Sequence, residues 1–385
     1  MTTDAGSTGT PGYSFRVLAC DGASRNGELV TPHGLVETPT FMPVGTQGSV
    51  KTLTPTEVAA TGARIVLGNT YHLWLRPGPE QVAAHGSLHG FARWPHAMLT
   101  DSGGFQAFSL AKRRKASQDG FTFSSHLDGS KHHLSPEEAM RVQGLLGADI
   151  AMQLDVCPPG EAPRDEVVAA CTMTTKWASR CLAAKRADQA LFGIVQGGTH
   201  EDLRTEHAEE LGALSVGGRR FDGLALGGFS VGEPIATMHE ILGRVASRLD
   251  DARPRYLMGV GTPRDLIVGI GAGVDMFDCV LPTRNARNGQ ALMRKGRIVI
   301  KQARYKDDLR PLDESCPCPC CAGGFSRAYL RHLHIAKEFL VGRLLSAHNL
   351  TLYGQLVREA REAIGRGDFA GFASAWSEAG IGDPD

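Results

Sequence analysis

Short apolar runs separated by helical stretches dominate the chain from residue 40 onward. There are eight such runs, and they begin at Thr40, Arg64, Ala97, Asp149, Leu191, Gly223, Arg255 and Val274. They lack strict alternation with polar residues, which is expected of parallel strands covered on both faces. The segments 135–147 and 262–273 begin with a Ser or Thr that can cap a helix and end in Gly. Eight strand–helix units over about 250 residues predict an α/β fold, a (β/α)₈ TIM-type barrel.

A doubly wound sheet is the alternative to the barrel. No G-x-G-x-x-G follows the first run, so the dinucleotide-binding form of that fold is not indicated.

The flanks of the repeating pattern predict separate structures. Residues 1–14 are interpreted as a disordered tail, and the segments 15–22 and 28–39 alternate with turn residues and predict an antiparallel N-terminal hairpin. The barrel domain is predicted over 15–302, with an insertion at about 108–134. Its basic run Lys112–Lys115 is either a solvated loop or a contact for phosphates. Residues 303–350 are predicted to form a zinc-binding subdomain, and 351–385 to form amphipathic helices that close the fold.

Four of the nine cysteines fall between Cys316 and Cys321, which predicts a metal site. Cys316, Cys318 and Cys321 follow the spacing C-x-C-x₂-C, and His348 lies near the end of the next helical stretch. Three thiolates and one imidazole would fill a tetrahedral zinc site with no open position, which describes a structural metal. The fourth position has three competitors in the sequence, namely Cys320, His332 and His334.

The composition is that of an ordinary globular protein, with 42% hydrophobic and 21% charged residues and a formal net charge of zero. The first residues lack the basic start and apolar run of a signal peptide. No stretch reaches the eighteen or so apolar residues that a membrane helix needs. The chain is therefore predicted to be soluble and cytoplasmic, a setting in which clustered cysteines favour metal over disulfides.

One segment departs from this neutral balance. From Arg284 to Lys306 the chain has eight Lys or Arg and no Asp or Glu, and Asp278 lies just before it at the end of an apolar run. An acid delivered by a buried strand beside a patch suited to phosphates suggests carboxylate chemistry on a nucleic acid. A core strand followed by a solvated loop is the alternative interpretation.

A barrel places its functional residues at the C-terminal ends of its strands. Six of the predicted strands end in polar side chains or paired glycines. In chain order these are Asn69–Thr70, Asp101–Ser102, Asp155, Gln196, Gly227–Gly228 and Asp278. A single polar residue at such a place could be a helix cap. Three carboxylates, two amides and close-approach glycines on one rim predict a site instead.

Several long motifs resemble those of one enzyme family. The chain contains, in this order, LGNTYHLWLRPG, LTDSGGFQ, SHLDGSKHHLSPEEAM, GIVQGG, LALGGFSVGEP, YLMGVGTPRDL and MFDCVLPTRNARNGQ. These are similar to the motifs of the tRNA-guanine transglycosylases, and the C-x-C-x₂-C with a downstream His is also found in that family. The resemblance covers nearly everything from about Phe15 to the final helices.

The resemblance implies both an activity and its partners. The family exchanges the wobble guanine of tRNAs that carry a U-G-U anticodon-loop triplet for a 7-deazaguanine base. In bacteria this base is 7-aminomethyl-7-deazaguanine, a queuosine precursor. Family members are barrels with an inserted zinc subdomain, and the bacterial members are homodimers.

The resemblance also implies a catalytic pair. By position, Asp278 corresponds to the nucleophile that attacks the anomeric carbon of the ribose, and Asp101 corresponds to the general acid/base. The chemistry agrees, because displacing a base through a covalent glycosyl intermediate needs one carboxylate nucleophile and one group that protonates or stabilises the leaving base.

The residues that correspond to the family's base-binding and RNA-binding positions can be read in the same way. Asp155 and Gln196 would form hydrogen bonds with the base, Gly228 would offer its backbone N–H to the base carbonyl, and Phe105 and Met258 would sandwich the ring. Guanine's N1–H and amine suit a carboxylate, and its carbonyl needs donors. The base must leave its stack to reach such a pocket, and an aromatic face offsets part of that cost. The family contacts the RNA near the nucleophile at the positions of Arg284 and Arg287.

Two positions carry information on the subtype. The family residue at Val231 is valine in bacterial enzymes and small in eukaryotic ones, so Val231 together with Cys157 indicates the bacterial substrate. The chain departs from the pattern at Phe229-Ser230, where Leu-Ala is commoner, and at Val156 and Pro158, where polar residues are usual, and it carries an extra Cys320.

Three other functions compete with this interpretation. A catalytically silent partner subunit would lack the nucleophile or its neighbours, whereas this chain keeps Asp101, Asp155 and Asp278. A metal-dependent hydrolase would need a ligand motif such as H-E-x-x-H, which is missing from the sequence. A plain nucleoside or glycoside hydrolase would use the same carboxylates but let water attack the intermediate.

Overall fold

The computed structural model describes residues 9–109 and 114–377. Its strands are β1 (Ser14–Asp21), β2 (Ser24–Thr31), β3 (Gly34–Thr38), β4 (Thr40–Gly45), β5 (Ile65–Gly68), β6 (Ala97–Thr100), β7 (Arg114–Ser117), β8 (Gly120–Ser124), β9 (Lys131–Leu134), β10 (Ile150–Met152), β11 (Ala190–Val195), β12 (Gly223–Leu226), β13 (Arg255–Leu257), β14 (Met276–Cys279), β15 (Gln290–Leu292) and β16 (Arg297–Val299). Its α-helices are α1 (Pro55–Ala60), α2 (Thr70–Leu75), α3 (Pro79–Ala84), α4 (Ser87–Ala92), α5 (Gly104–Ser109), α6 (Pro136–Leu146), α7 (Arg164–Ala184), α8 (Glu201–Ala213), α9 (Ile235–Val245), α10 (Pro263–Gly271), α11 (Leu281–Arg287), α12 (Pro319–Ala322), α13 (Arg327–Ile335), α14 (Phe339–Arg366) and α15 (Phe369–Ser377).

The eight predicted apolar runs each supply one strand of a closed parallel barrel. Going round the barrel, the order is β4, β5, β6, β10, β11, β12, β13 and β14, and β14 pairs back with β4. The predicted barrel fold is confirmed. Because all eight strands run the same way, their C-terminal ends meet at one mouth.

Helix caps follow the predicted signals. The hydroxyl of Ser135 accepts a hydrogen bond from the backbone N–H of Glu138 at the start of α6, and Gly147 ends that helix in the left-handed conformation with φ of +66°. Thr262 and Asp265 form a reciprocal capping box at the start of α10. The turns between strands and helices are thus specified locally.

The predicted N-terminal hairpin is confirmed and extends to a three-stranded antiparallel sheet, β1–β2–β3. Its apolar face shares one buried core with the inward side chains of the barrel, including Phe15, Leu29 and Phe192. Thr10 and Tyr13 are also buried, and the Thr10 hydroxyl donates to Asp222 over 2.9 Å. Thr10 and Tyr13 therefore have barrel partners that the local sequence does not reveal, although both belong to the segment 1–14 predicted to be a disordered tail.

Three parts of the predictions fall partly on residues outside the described ranges. These are the tail at residues 1–8, the Lys112–Lys115 run at residues 112 and 113, and the closing helices at residues 378–385. Within the described part, the insertion between β6 and β10 folds as a separate antiparallel sheet, β7–β8–β9.

The C-terminal helices differ from the sequence pattern. The predicted helical stretch 326–350 is divided into α13 and α14, and Lys337 between them has φ of +60°. α14 then runs unbroken through position 350 to Arg366, so His348 lies within a long helix rather than near its end. No helix among the described residues is long and apolar enough to cross a membrane.

Candidate active site

A cavity of about 370 Å³ opens at the mouth of the barrel. Every residue predicted to act in catalysis or base binding lies on its wall: Asp101, Phe105, Asp155, Cys157, Gln196, Gly228, Val231, Met258 and Asp278. They come from separate strand ends, and the closure of the barrel brings them together. The geometry of each carboxylate differs, and these differences decide what each can do.

Asp278, on β14, accepts two hydrogen bonds on the same oxygen. The Tyr256 hydroxyl donates to Oδ1 over 2.6 Å, and the Gly259 backbone N–H donates to Oδ1 over 2.7 Å. Oδ2 has no partner among the described residues. Burial raises the pKa of Asp278, and these two donors oppose the rise by stabilising the ionised form. An oriented carboxylate with one free oxygen facing a cavity can act as a nucleophile.

Asp101 follows β6 and has both oxygens occupied. The backbone N–H of Thr70 donates to Oδ1 over 2.8 Å, and the Asn69 side-chain amide donates to Oδ2. Burial raises the pKa of Asp101 to about 7, with further increases from the charges of Asp278 and Asp155, although the Thr70 N–H opposes them. A carboxyl group that titrates near neutral pH can both donate and accept a proton.

Asp155 also has both oxygens occupied, and its partners link three strand ends. The Ser102 hydroxyl donates to Oδ1 over 3.2 Å and the Gln196 amide donates to Oδ2 over 2.7 Å. Burial raises the pKa of Asp155 to about 6. The amide oxygen of Gln196 is buried without a hydrogen-bond partner among the described residues. Such an unsatisfied group in a cavity wall indicates a site built for a polar ligand.

Gln196 is fixed from behind by a histidine that the sequence reasoning did not single out. The backbone N–H of Gln196 donates to Nδ1 of His207 over 2.9 Å. Burial lowers the pKa of His207 to about 4, so the ring is neutral and Nδ1 can accept this bond. The residue lies on α8, eleven positions after Gln196, and only the packing of that helix against β11 reveals the contact.

Glycines line the wall beside Gln196 because no side chain fits there. Gly228 has φ of +65°, and a Cβ on it would lie 2.3 Å from Oε1 of Gln196. Phe105 also lines the cavity and is 46% exposed, which leaves a ring face available. Tyr256, missed at the sequence level, lies on β13 two positions before Met258, which directly follows that strand. Both residues line the cavity, and this i, i+2 spacing was the available signal.

The rim near Val231 is held by backbone contacts. The carboxylate of Glu233 accepts hydrogen bonds from the backbone N–H groups of Ser230 and Val231. Burial raises the pKa of the Cys157 thiol to about 12, so it is an uncharged apolar surface at neutral pH. Phe229, the unusual residue of this motif, is buried with its ring against the guanidinium of Arg204.

Arg284 and Arg287 lie outside the cavity. Both are exposed on α11, which starts two residues after the strand carrying Asp278. The two arginines therefore place positive charge close to Asp278 in the sequence, but they do not line the cavity.

The predicted metal ligands come together at the C-terminal region. The ligand atoms of Cys316, Cys318, Cys321 and His348 all lie within 4.8 Å of one another. Nε2 of His348 bonds the carbonyl oxygen of Leu292 over 2.9 Å, which leaves Nδ1 facing the thiols. Cys320 is buried nearby but does not belong to this group, and neither do the other two competitors, His332 and His334. The group could hold a metal ion, and four protein donors leave no open position for catalysis.

A (β/α)₈ barrel whose mouth gathers three buried carboxylates and amide donors around one cavity is the architecture of a carboxylate-dependent enzyme of glycosyl transfer. A sequence model of the family described as queuine tRNA-ribosyltransferase matches residues 20–380. The chain is 73% identical over 367 residues to the queuine tRNA-ribosyltransferase of Sorangium cellulosum, which covers 95% of this chain and 92% of that relative. It is 55% identical over 362 residues to that of Solidesulfovibrio magneticus, with 93% and 95% covered.

The chain belongs to the queuine tRNA-ribosyltransferase family. It is an enzyme, a pentosyltransferase of the bacterial tRNA-guanine transglycosylase type that acts in queuosine synthesis.

Proposed function

We propose that this enzyme exchanges the wobble guanine of tRNAs bearing a U-G-U anticodon-loop triplet for 7-aminomethyl-7-deazaguanine, through a covalent intermediate on Asp278. The observation that carries the proposal is the asymmetry of the Asp278 carboxylate. Both donors, Tyr256 and Gly259, bind Oδ1, so Oδ2 is the oxygen directed at the substrate. The other two carboxylates of the cavity have both oxygens occupied.

The proposed reaction has two displacements. Oδ2 of Asp278 attacks C1′ of the ribose, the C1′–N9 bond breaks, and guanine leaves with the bonding electron pair. Asp101, with a pKa of about 7, supplies the proton that neutralises the leaving base. It then takes a proton from the incoming base, whose ring nitrogen attacks C1′ and releases Asp278.

The base would be held by its polar edge and its faces. Asp155 accepts from N1–H and the exocyclic amine, while the Gln196 amide and the Gly228 N–H donate to the carbonyl. Gln196 now donates to Asp155, so base binding exchanges that internal bond for bonds to the ligand. Phe105 and Met258 cover the two ring faces.

The subtype and the RNA contacts rest on the rim. Val231 and Cys157 line the cavity where the 7-substituent would lie, and their bulk suits the small aminomethyl group better than the larger substituent of queuine. The exposed Arg284 and Arg287 would contact phosphates of the anticodon stem-loop, so tRNA affinity should fall as salt increases.

The metal and the assembly complete the proposal. Zn²⁺ held by Cys316, Cys318, Cys321 and His348 would be structural, one ion per chain. The C-terminal region that carries this group also exposes large apolar side chains, with Phe339 at 91%, Leu309 at 82% and Ile335 at 57% exposed. Apolar side chains exposed in this way suit contact with a second copy of the chain, so a homodimer is proposed.

The test is incorporation of labelled guanine into unmodified tRNA that carries a U-G-U triplet, with Asp278→Asn as the control variant. Wild type should incorporate the label, and the variant should not, while its tRNA affinity stays within about threefold because the charge removed lies in the base pocket. Competition by 7-aminomethyl-7-deazaguanine would settle the substrate. Release of free guanine without uptake would mean a hydrolase. Tight tRNA binding with neither uptake nor release would mean a silent subunit.

A further inference from the structure

A buried arginine lies directly behind the glycines of the base pocket. Arg204, on α8, is completely buried. Its Nε donates to the carbonyl of Gly198 over 2.7 Å, Nη1 to that of Gly227 over 2.9 Å, and Nη2 to that of Gly228 over 3.1 Å. The ring of Phe229 lies over the guanidinium at 3.7 Å. No ion pair joins Arg204 to an acid within residues 9–109 and 114–377, so its direct contacts are carbonyl dipoles and one aromatic ring. The negative charge of Glu233 acts on it from further away.

The peptide between the two glycines connects this cation to the cavity. The bond is trans, and in a trans peptide the C=O and the following N–H point in opposite directions. Because the Gly227 carbonyl is bound by Arg204, the Gly228 N–H points away from Arg204, and it has no acceptor among the described residues. Gly228 lines the cavity. Arg204, which does not line the cavity, therefore fixes the direction of the free Gly228 N–H.

We propose that Arg204 is a positioning residue for base exchange, which aims and polarises the Gly228 N–H at the carbonyl of the bound base. The inference rests on the proposed function, in which this N–H recognises that carbonyl. As the C1′–N9 bond breaks, the leaving base gains negative charge that spreads to its carbonyl oxygen. A donor whose peptide is hydrogen-bonded to a buried cation stabilises that charge more than an unassisted amide does, because the pocket has a low dielectric constant. Burial lowers the pKa of Arg204 only to about 10, so the residue stays charged at neutral pH.

Arg204 and Gln196 pack closely against neighbouring glycines of the pocket wall. A Cβ on Gly197 would lie 2.5 Å from Cγ of Arg204, and a Cβ on Gly228 would lie 2.3 Å from Oε1 of Gln196. Gly197 of GIVQGG and Gly228 of LALGGF must therefore be glycines, because Arg204 and Gln196 occupy the space that a Cβ would need. One side chain ties the loops after β11 and β12 into a single wall of the pocket.

The experiment separates a role at the carbonyl from a general structural role. It measures the KM of labelled guanine and the inhibition constant of 2-aminopurine for wild type and Arg204→Lys. 2-Aminopurine lacks the carbonyl and, with it, the N1–H, and because each ligand is compared with itself between the two proteins, the missing N1–H does not enter the comparison. We expect Arg204→Lys to raise the KM for guanine by about tenfold, the value of one hydrogen bond to a buried group, and to change the inhibition constant of 2-aminopurine by less than about twofold. An equal change for both ligands, or no change for guanine, would overturn the proposal.

Two further variants keep the test decisive. Arg255→Lys is the control, since Arg255 is also buried and bonded to carbonyls but lies at the start of β13, away from the mouth. Unlike Arg204, Arg255 also pairs with an acid, Asp251. Arg255→Lys should leave the ratio of the guanine KM to the 2-aminopurine inhibition constant unchanged. Phe229→Leu keeps the three hydrogen bonds but removes the ring, and should raise the KM for guanine selectively by about threefold. If Arg204→Lys does not fold, this variant decides, and a loss common to both ligands overturns the role. A wild type that does not prefer guanine to 2-aminopurine would instead refute the proposed function and this inference together.

Discussion

The carboxyl group of Asp101, the proposed general acid/base, should reduce the stability of the enzyme at neutral and alkaline pH. Its pKa is about 7 in the folded protein, against an ordinary value of 3.8. Between these values the folded protein keeps a proton that the unfolded chain has released. The stability from that proton is fully present below the unfolded pKa and is lost as pH rises through the folded pKa. A rise of about three pH units corresponds to about 4 kcal/mol, at 1.36 kcal/mol per unit.

Asp101→Asn removes this pH-dependent cost but introduces a fixed one. In the wild type, the side-chain amide of Asn69 and the backbone N–H of Thr70 each donate to one oxygen of Asp101. An Asn at this position offers one acceptor oxygen and one amide group, so one donor faces another donor. That mismatch costs about 1–3 kcal/mol at every pH. The free energy of unfolding of the variant, relative to that of wild type, should therefore rise by about 2–3 kcal/mol from about pH 5 to about pH 8, because this interval covers that part of the titration.

The assay is urea denaturation followed by tryptophan fluorescence, at about pH 5 and about pH 8, with metal present throughout. Asp202→Asn is the control, because pairing with Arg164 lowers the pKa of Asp202 to about 2 and the group does not titrate in this interval. Its effect on the free energy of unfolding should be the same at both pH values. If the difference between Asp101→Asn and wild type is also the same at both pH values, Asp101 does not carry a raised pKa and the reasoning is wrong.

Three further predictions concern the rest of the molecule. Tyr256→Phe removes one of the two donors to Asp278. In guanine exchange, kcat should fall about tenfold, and the acidic limb of the kcat/KM profile should move to higher pH because the ionised carboxylate loses a donor. An unshifted profile would contradict the role of this hydrogen bond. Chelation of the metal should lower the melting temperature while active-site chemistry per folded molecule is retained, as measured by calorimetry and exchange side by side; unchanged melting with lost activity would indicate a catalytic metal. Arg284→Ala and Arg287→Ala should each reduce the slope of log affinity for tRNA against log salt by about one, and an unchanged slope would place the RNA elsewhere.

The fold and the positions of the site residues could be predicted because both depend on local patterns. An apolar run of a few residues followed by a capped helix defines each barrel unit, and the shared direction of the strands brings their ends together. Asp101, Gln196 and Asp278 could thus be assigned to one rim before any contact was known. The family resemblance then assigned roles that strand ends alone do not distinguish.

The sequence did not reveal contacts between residues that are distant along the chain. Arg204 carries no local signal, since an arginine in an amphipathic helix is usually solvated, and only the packing of α8 places it behind Gly227 and Gly228. His348 was assigned to the metal group, yet its helix continues to Arg366 because α14 packs along the barrel. The local break near Lys337, by contrast, depends on a left-handed residue that the pattern did not indicate.

The three carboxylates of the cavity differ in how their hydrogen-bond donors are arranged, and this difference supports the three roles proposed for them. Asp101 and Asp155 each accept a hydrogen bond on both oxygens, whereas Asp278 accepts two on one oxygen. Asp101 and Asp155 can therefore respond to a substrate by changing their protonation or by exchanging a hydrogen-bond partner. Asp278 keeps a free oxygen for attack. Since burial raises the pKa of all three, the distribution of donors rather than burial separates their functions. Changing the donors, as in Tyr256→Phe, is therefore a sharper test of mechanism than removing the acids.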